Sequence, residues 1–201
     1  MQVYRGVEQL PELRGSAVTI GSFDGVHLGH CKVLDLLCAC AREIGGDSVV
    51  VTFAPHPQRV LHPERPFFTI NTLEENLALL EKRGIDIVLV LSFTTALAAV
   101  DYQAFLQDYV FNALHAKVLV MGPNHTIGHH KDGNHQAIID YCEAHQVQVK
   151  PIPEYMLQTM GVHSATIREA IRREDWTTVN HLLGYTYKKS ITVEKQQIAY
   201  I

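Results

Sequence analysis

The sequence predicts an α/β protein, a Rossmann-like doubly wound and mostly parallel sheet of five strands with helices on both faces. Short unbroken apolar runs alternate with longer segments whose apolar residues recur at three- and four-residue spacing. Their order is β then α throughout, a pattern that requires right-handed crossovers and gathers ligands at the carboxyl ends of the strands. The 201 residues, 47% of them hydrophobic, suffice for one substantial core.

Strands are expected at 17–23, 48–53, 86–93, 117–122 and 147–152, where apolar residues run without alternation as in strands buried on both faces. Covering helices are expected at 28–44, 73–83, 102–114 and 135–145. Two more, 164–173 and 176–183, close the chain, the second stopped by Gly184. One domain is expected over 1–187, with 188–201 as a tail. The net charge of −4 is spread without any run of Lys or Arg, which disfavours nucleic acid and anionic membranes and favours small-molecule partners. The first residues lack the apolar core of a signal peptide, and no apolar run is long enough to span a membrane, so a cytoplasmic protein is expected. Cys31, Cys38, Cys40 and Cys142 form no CxxC pair and are expected as free thiols.

Four segments carry chemistry. Gly21-Ser-Phe-Asp-Gly-Val-His27-Leu-Gly-His30 follows the first expected strand and opens the first helix, where such a sheet presents backbone N–H groups to phosphate. It is neither GxGxxG nor a P-loop. His27 and His30 share one helix face beside the positive end of the helix dipole and can bond a phosphate together. Gly29 removes a side chain where a nucleotide must approach the backbone. The second segment, Thr52-Phe-Ala-Pro55-His56-Pro57, ends a strand and enters a loop rich in Pro, Arg and His. The third, from Gly122 through Asn124 to Gly133, is a glycine-punctuated loop on the ligand side of the sheet. In the fourth, Ser164 at or near a helix N-cap can bond the helix amides or a phosphate, and Arg168 one turn later can grip an anion bidentately. A transition-metal reading of His125, His129, His130 and His135 has no carboxylate or cysteine partner to support it.

Together these strings resemble the nucleotidylyltransferase superfamily, and within it the bacterial FAD synthetases, the FMN adenylyltransferase module usually fused to riboflavin kinase. The resemblance continues through Glu74-Glu, Gly84-Ile-Asp, Phe93 and Val118-Leu-Val-Met-Gly122 to Leu182-Leu-Gly-Tyr-Thr-Tyr187. It implies transfer of AMP from ATP to FMN by direct in-line attack, with Mg²⁺ on the phosphates. His27 and His30 would stabilise charge at the α-phosphate, and Ser164 and Arg168 would hold the β- and γ-phosphates. The resemblance also assigns Gly21, Phe23, Asp24, Gly25, Gly29, Thr52, Pro55, His56, Pro57, Gly122, Asn124 and Ile167 to ATP and FMN binding, with Asn124 beside the metal. Asp24 caps the loop or touches nucleotide. The chain departs from the family at His125 and Ile127, where aromatics are usual, and at His163 and Ala165, where Ser and Thr are usual. The residues after Tyr187 are too few for the kinase barrel, so FMN is expected from a separate riboflavin kinase. Two alternatives stay open: nucleotidylyl transfer to another phosphorylated small molecule, and a non-catalytic nucleotide- or flavin-binding protein.

Overall fold

The computed structural model describes residues 1–122, 127–128, 133–152 and 162–188. Its sheet contains β1 (Gln2–Tyr4), β2 (Ser16–Ile20), β3 (Asp47–Ala54), β4 (Ile87–Ser92), β5 (Ala116–Met121) and β6 (Gln148–Pro151). The strands lie in the order β1-β4-β3-β2-β5-β6, and every pairing is parallel. Six strands replace the five expected. The addition is β1, whose three residues are too short and too exposed to register as an apolar run.

Valine-rich strands suit this sheet because both faces are covered. On one face Val18, Val49, Val51, Leu89 and Leu119 pack with Phe105, Leu106 and Ile138. On the other, Ala17, Val50, Val88 and Val118 meet Leu34, Leu37 and Leu80. Neighbours in sequence, such as Val49 and Val50, thus serve opposite faces, as the two-residue period of a strand requires.

The helices are α1 (Leu28–Ile44), α2 (Pro57–Leu61), α3 (Leu73–Lys82), α4 (Thr95–Ala98), α5 (Tyr102–Phe105), α6 (His135–Ala144), α7 (Ser164–Arg172) and α8 (Trp176–Leu183). Helix α5 continues as a π-helical stretch, Leu106–Ala113, so the expected helix over 102–114 has two geometries. Helix α3 begins with a complete capping box in which Thr72 and Glu75 bond each other's backbone amides. A third apolar cluster joins α7 and α8 to Phe68 and Ile70.

The functional consequence lies at the middle of the sheet. After β2 the chain passes to β3 on one side, while β5 lies on the other. This is the topological switch point, where the loops leaving adjacent strands diverge and open a crevice. The segment 21–27 leaves β2 there, and Gly122 leaves β5.

Candidate functional site

The loop from Gly21 to His27 is strained and firmly held. Phe23 and Val26 have φ of 46° and 36°, in a region that side chains, above all β-branched ones, seldom occupy. Each such residue costs of order 1–3 kcal/mol and survives only where its surroundings fix it. Here they do. The Gly25 N–H donates to Asn76 Oδ1 at 3.0 Å, and Tyr185 donates its hydroxyl to the Gly25 carbonyl at 2.7 Å. Thr52 Oγ1 donates to the Ser22 carbonyl at 3.3 Å, and the Gly21 amide donates to Val51 at 3.0 Å. Gly25 itself sits at φ 81°, and a Cβ there would lie 3.0 Å from Ile70.

Asp24 is the hub. Its buried carboxylate accepts the Ile70 N–H at 2.9 Å, the Asn71 N–H at 3.3 Å and Arg168 Nη1 at 2.8 Å. Burial pushes this carboxyl above its ordinary value, against the pull of the Ile70 amide and the Arg168 guanidinium. Of the two roles considered for Asp24, the structure displays the loop-steadying one.

His27 caps α1. Its Nδ1 accepts the His30 N–H at 3.2 Å, which leaves Nε2 as the protonated nitrogen of a neutral ring. The two imidazoles stack at 3.7 Å with 13° between their planes, and Phe23 packs against His30 at 5.0 Å. Burial lowers the His27 pKa to about 4, helped by the charge of the nearby His163, and burial beside His27 holds His30 well below its ordinary value. The pair is therefore neutral at physiological pH. His30 Nδ1 is buried without a partner among the described residues. Gly29 is needed for packing: a Cβ there would lie 3.1 Å from the His27 ring and 3.3 Å from the Val162 carbonyl. The room expected for a nucleotide at this glycine is thus filled by protein atoms.

Helix α7 faces this loop. Its N-cap is His163, which makes no side-chain capping bond, and Ser164 instead donates its hydroxyl to the Asp24 carbonyl at 3.3 Å. Arg168, 15% exposed at its side chain, binds Asp24 and lies over the Phe67 ring at 4.8 Å. Ile167 is wholly buried in the third apolar cluster, so its side chain supports the site rather than lining it. Thr52 is likewise buried and bonded to Ser22.

Beyond Asp24 a cavity of about 280 Å³ opens between the end of β3 and the start of α3, lined by Pro55, His56, Arg59, Asn71 and Glu74 among others. Pro57 opens α2, His56 caps it, and the His56 ring packs on Phe67 at 4.6 Å. Burial lowers the His56 pKa to about 4, with Arg168 and Arg59 adding to the shift. Gly122 ends β5 with open space where its Cβ would stand. Asn124, His125, His129 and His130 lie outside the described residues.

Among the described residues no three His, Cys, Asp or Glu side chains converge to hold a metal. Asp24, the carboxylate at the loop, already has its oxygens bonded to two amides and a guanidinium. These residues do not by themselves form a site for Mg²⁺, a hard ion that demands several free oxygens.

Several contributors were not assigned to the site from the sequence, although Tyr185 and Tyr187 lie in the string that carried the resemblance. Asn76, Ile70, Tyr185 and Tyr187 hold the loop from positions far along the chain, Tyr187 by donating to the Ile70 carbonyl at 3.1 Å.

A parallel sheet with a histidine-bearing loop at its switch point defines a Rossmann-like α/β protein. The chain belongs to the FAD synthetase family, whose profile matches residues 9–166. It is 30% identical over 189 residues to the bifunctional riboflavin kinase/FMN adenylyltransferase of Haemophilus influenzae, covering 94% of this chain and 61% of that protein. It is 33% identical over 177 residues to the protein of the same description from Listeria monocytogenes, covering 88% of this chain and 56% of that one. The chain thus spans less than two thirds of the length of these relatives. A solved structure described as a macrolide-efflux protein from Streptococcus pneumoniae superposes with a TM-score of 0.78 at 25% identity, covering 92% of this chain and 70% of that one. No helix among the described residues is long and apolar enough to cross a membrane.

Proposed function

We propose that this chain is an FMN adenylyltransferase, transferring AMP from ATP to FMN to give FAD and pyrophosphate. The observation that carries the proposal is the stacked pair of buried His27 and half-buried His30 at the head of α1, with the His27 tautomer fixed by its capping bond. A phosphate oxygen of FMN attacks the α-phosphorus of ATP as the bond to the β-phosphate oxygen breaks, and pyrophosphate leaves with that electron pair. The His27 Nε2–H donates to the charge that builds on the α-phosphate. Because the ring is already locked by the helix amide, it spends no free energy reorganising at that moment. Both rings are neutral in the free protein, and an arriving polyphosphate favours their protonated forms.

Arg168 uses Nη1 on Asp24, and its remaining N–H groups serve the β- and γ-phosphates alongside Ser164. Ala165 offers no hydroxyl to that group. Mg²⁺ would supply further charge compensation on the phosphates, and no described residue is assigned to it. FMN comes from a riboflavin kinase activity, which the relatives carry in the same polypeptide according to their descriptions.

The test incubates purified protein with ATP, FMN and Mg²⁺ and follows FAD by chromatography and pyrophosphate by a coupled assay. FAD and pyrophosphate are expected in equal amounts, and their absence refutes the proposal. His30→Ala is expected to lower kcat roughly 10²–10³-fold while the Kd for ATP changes only a few-fold, as for a contact made in the transition state. An unchanged kcat would remove His30 from the chemistry.

A further inference from the structure

Arg59 carries a charge that no ion pair among the described residues neutralises. It stands on α2 in the wall of the cavity beyond Asp24, and its Nε is buried without a hydrogen-bond partner among the described residues. It forms no ion pair with any described residue, although carboxylates are close in sequence and space. Asp24, on the cavity wall, is bound to Arg168 at 2.8 Å. Glu74, also on that wall, reaches only Arg5 at 3.9 Å, and Glu64 engages Arg65 and His62. His56, on the same wall, feels the charges of Arg168 and Arg59. A buried guanidinium nitrogen with its hydrogen unpaired is costly unless an anion completes it.

We infer that Arg59 receives the phosphate of the acceptor, so that this side chain, rather than the flavin ring alone, makes the site prefer a phosphorylated flavin over its dephosphorylated parent. The inference rests on FMN being the acceptor. Its physical basis is the strength and planar fork of a guanidinium facing a phosphate monoester, in a cavity whose lining contains no other Arg or Lys. The volume of about 280 Å³ lies at the lower end of small-molecule sites, which suits the phosphate-bearing end of such a ligand.

Binding is measured by quenching of flavin fluorescence, with FMN and riboflavin as paired probes and ATP titrated separately by calorimetry, for the wild-type chain, Arg59→Gln and Arg59→Lys. Arg59→Gln is expected to weaken FMN roughly 10- to 100-fold while riboflavin and ATP stay within about twofold. Arg59→Lys should recover part of the loss, because it keeps the charge but not the fork. Equal losses for FMN and riboflavin, or no loss for FMN, would overturn the inference. A loss confined to ATP would assign Arg59 to the nucleotide and overturn it too. Wild-type protein that binds neither flavin would sink the proposed acceptor itself, a result distinct from wild-type binding of FMN that Arg59→Gln leaves intact.

Discussion

His27 holds a helix with one nitrogen of its ring and is proposed to serve the chemistry with the other. One nitrogen accepts the His30 amide, and the other is left to donate. The two duties separate under substitution. Asn is among the best N-cap residues, so His27→Asn should keep the thermal midpoint within a few degrees of wild type while losing roughly 10² or more in kcat. His27→Ala should lose both, with stability down by about 1 kcal/mol. Melting curves and single-turnover rates on the two variants check this, and a His27→Asn protein with full activity would contradict it. At this scale the sequence revealed the chemical groups and concealed their constraints. His27-Leu-Gly-His30 is a local string, legible because helix geometry fixes how residues three apart face one another. The bond between Asp24 and Arg168 joins residues 144 apart, and no periodicity announces it. Asp24 therefore read as either a cap or a ligand, and Arg168 as a free phosphate-binding arm, until tertiary contact put them together.

Helix α1 enters the site through a tight contact. The missing side chain at Gly29 lets the His27 ring and the Val162 carbonyl crowd the helix start, at 3.1 and 3.3 Å from where a Cβ would stand. Gly29→Ala should gain up to about 1 kcal/mol in helix propensity and lose more than that to crowding. A net destabilisation of about 1 kcal/mol in urea titration is expected, with a larger proportional fall in kcat because the atoms displaced belong to His27. A stabilised variant with normal turnover would show that the contact gives way freely. The elements most legible in the sequence were those with strong periodicity or complete caps: α1 begins and ends where expected, and α3 has its capping box written as Thr72-Leu-Glu-Glu75. Short elements were lost. β1 has three residues, and α2 and α4 have five and four, too few to display a period. The π-helical stretch after Phe105 was also hidden, because widening a helix leaves its apolar spacing close to that of an ordinary one.

Across the whole molecule, buried His27 and the half-buried His30 and His56 set an acid limit on stability. His27 and His56 are lowered to about 4 and His30 well below its ordinary value of 6.5. The folded state thus binds fewer protons than the unfolded one below pH 6.5, and stability must fall as the pH drops from there toward 4. For His27 alone, 6% exposed, that amounts to roughly 3 kcal/mol over the window. Denaturation midpoints measured from pH 7.5 to 4.5 should decline most steeply below 6.5, and a flat profile would refute the burial of these rings as neutral groups. The bonds that secure the loop from Gly21 to His27 also bear on how the chain is made. Tyr185 reaches back 160 residues to Gly25, and Tyr187 reaches back 117 to Ile70. A nascent chain can pair its early strands while still attached to the ribosome, but it cannot lock this loop until residue 187 has cleared the exit tunnel. Closure of this loop is therefore expected only after the segment that carries Tyr185 and Tyr187 has emerged and packed.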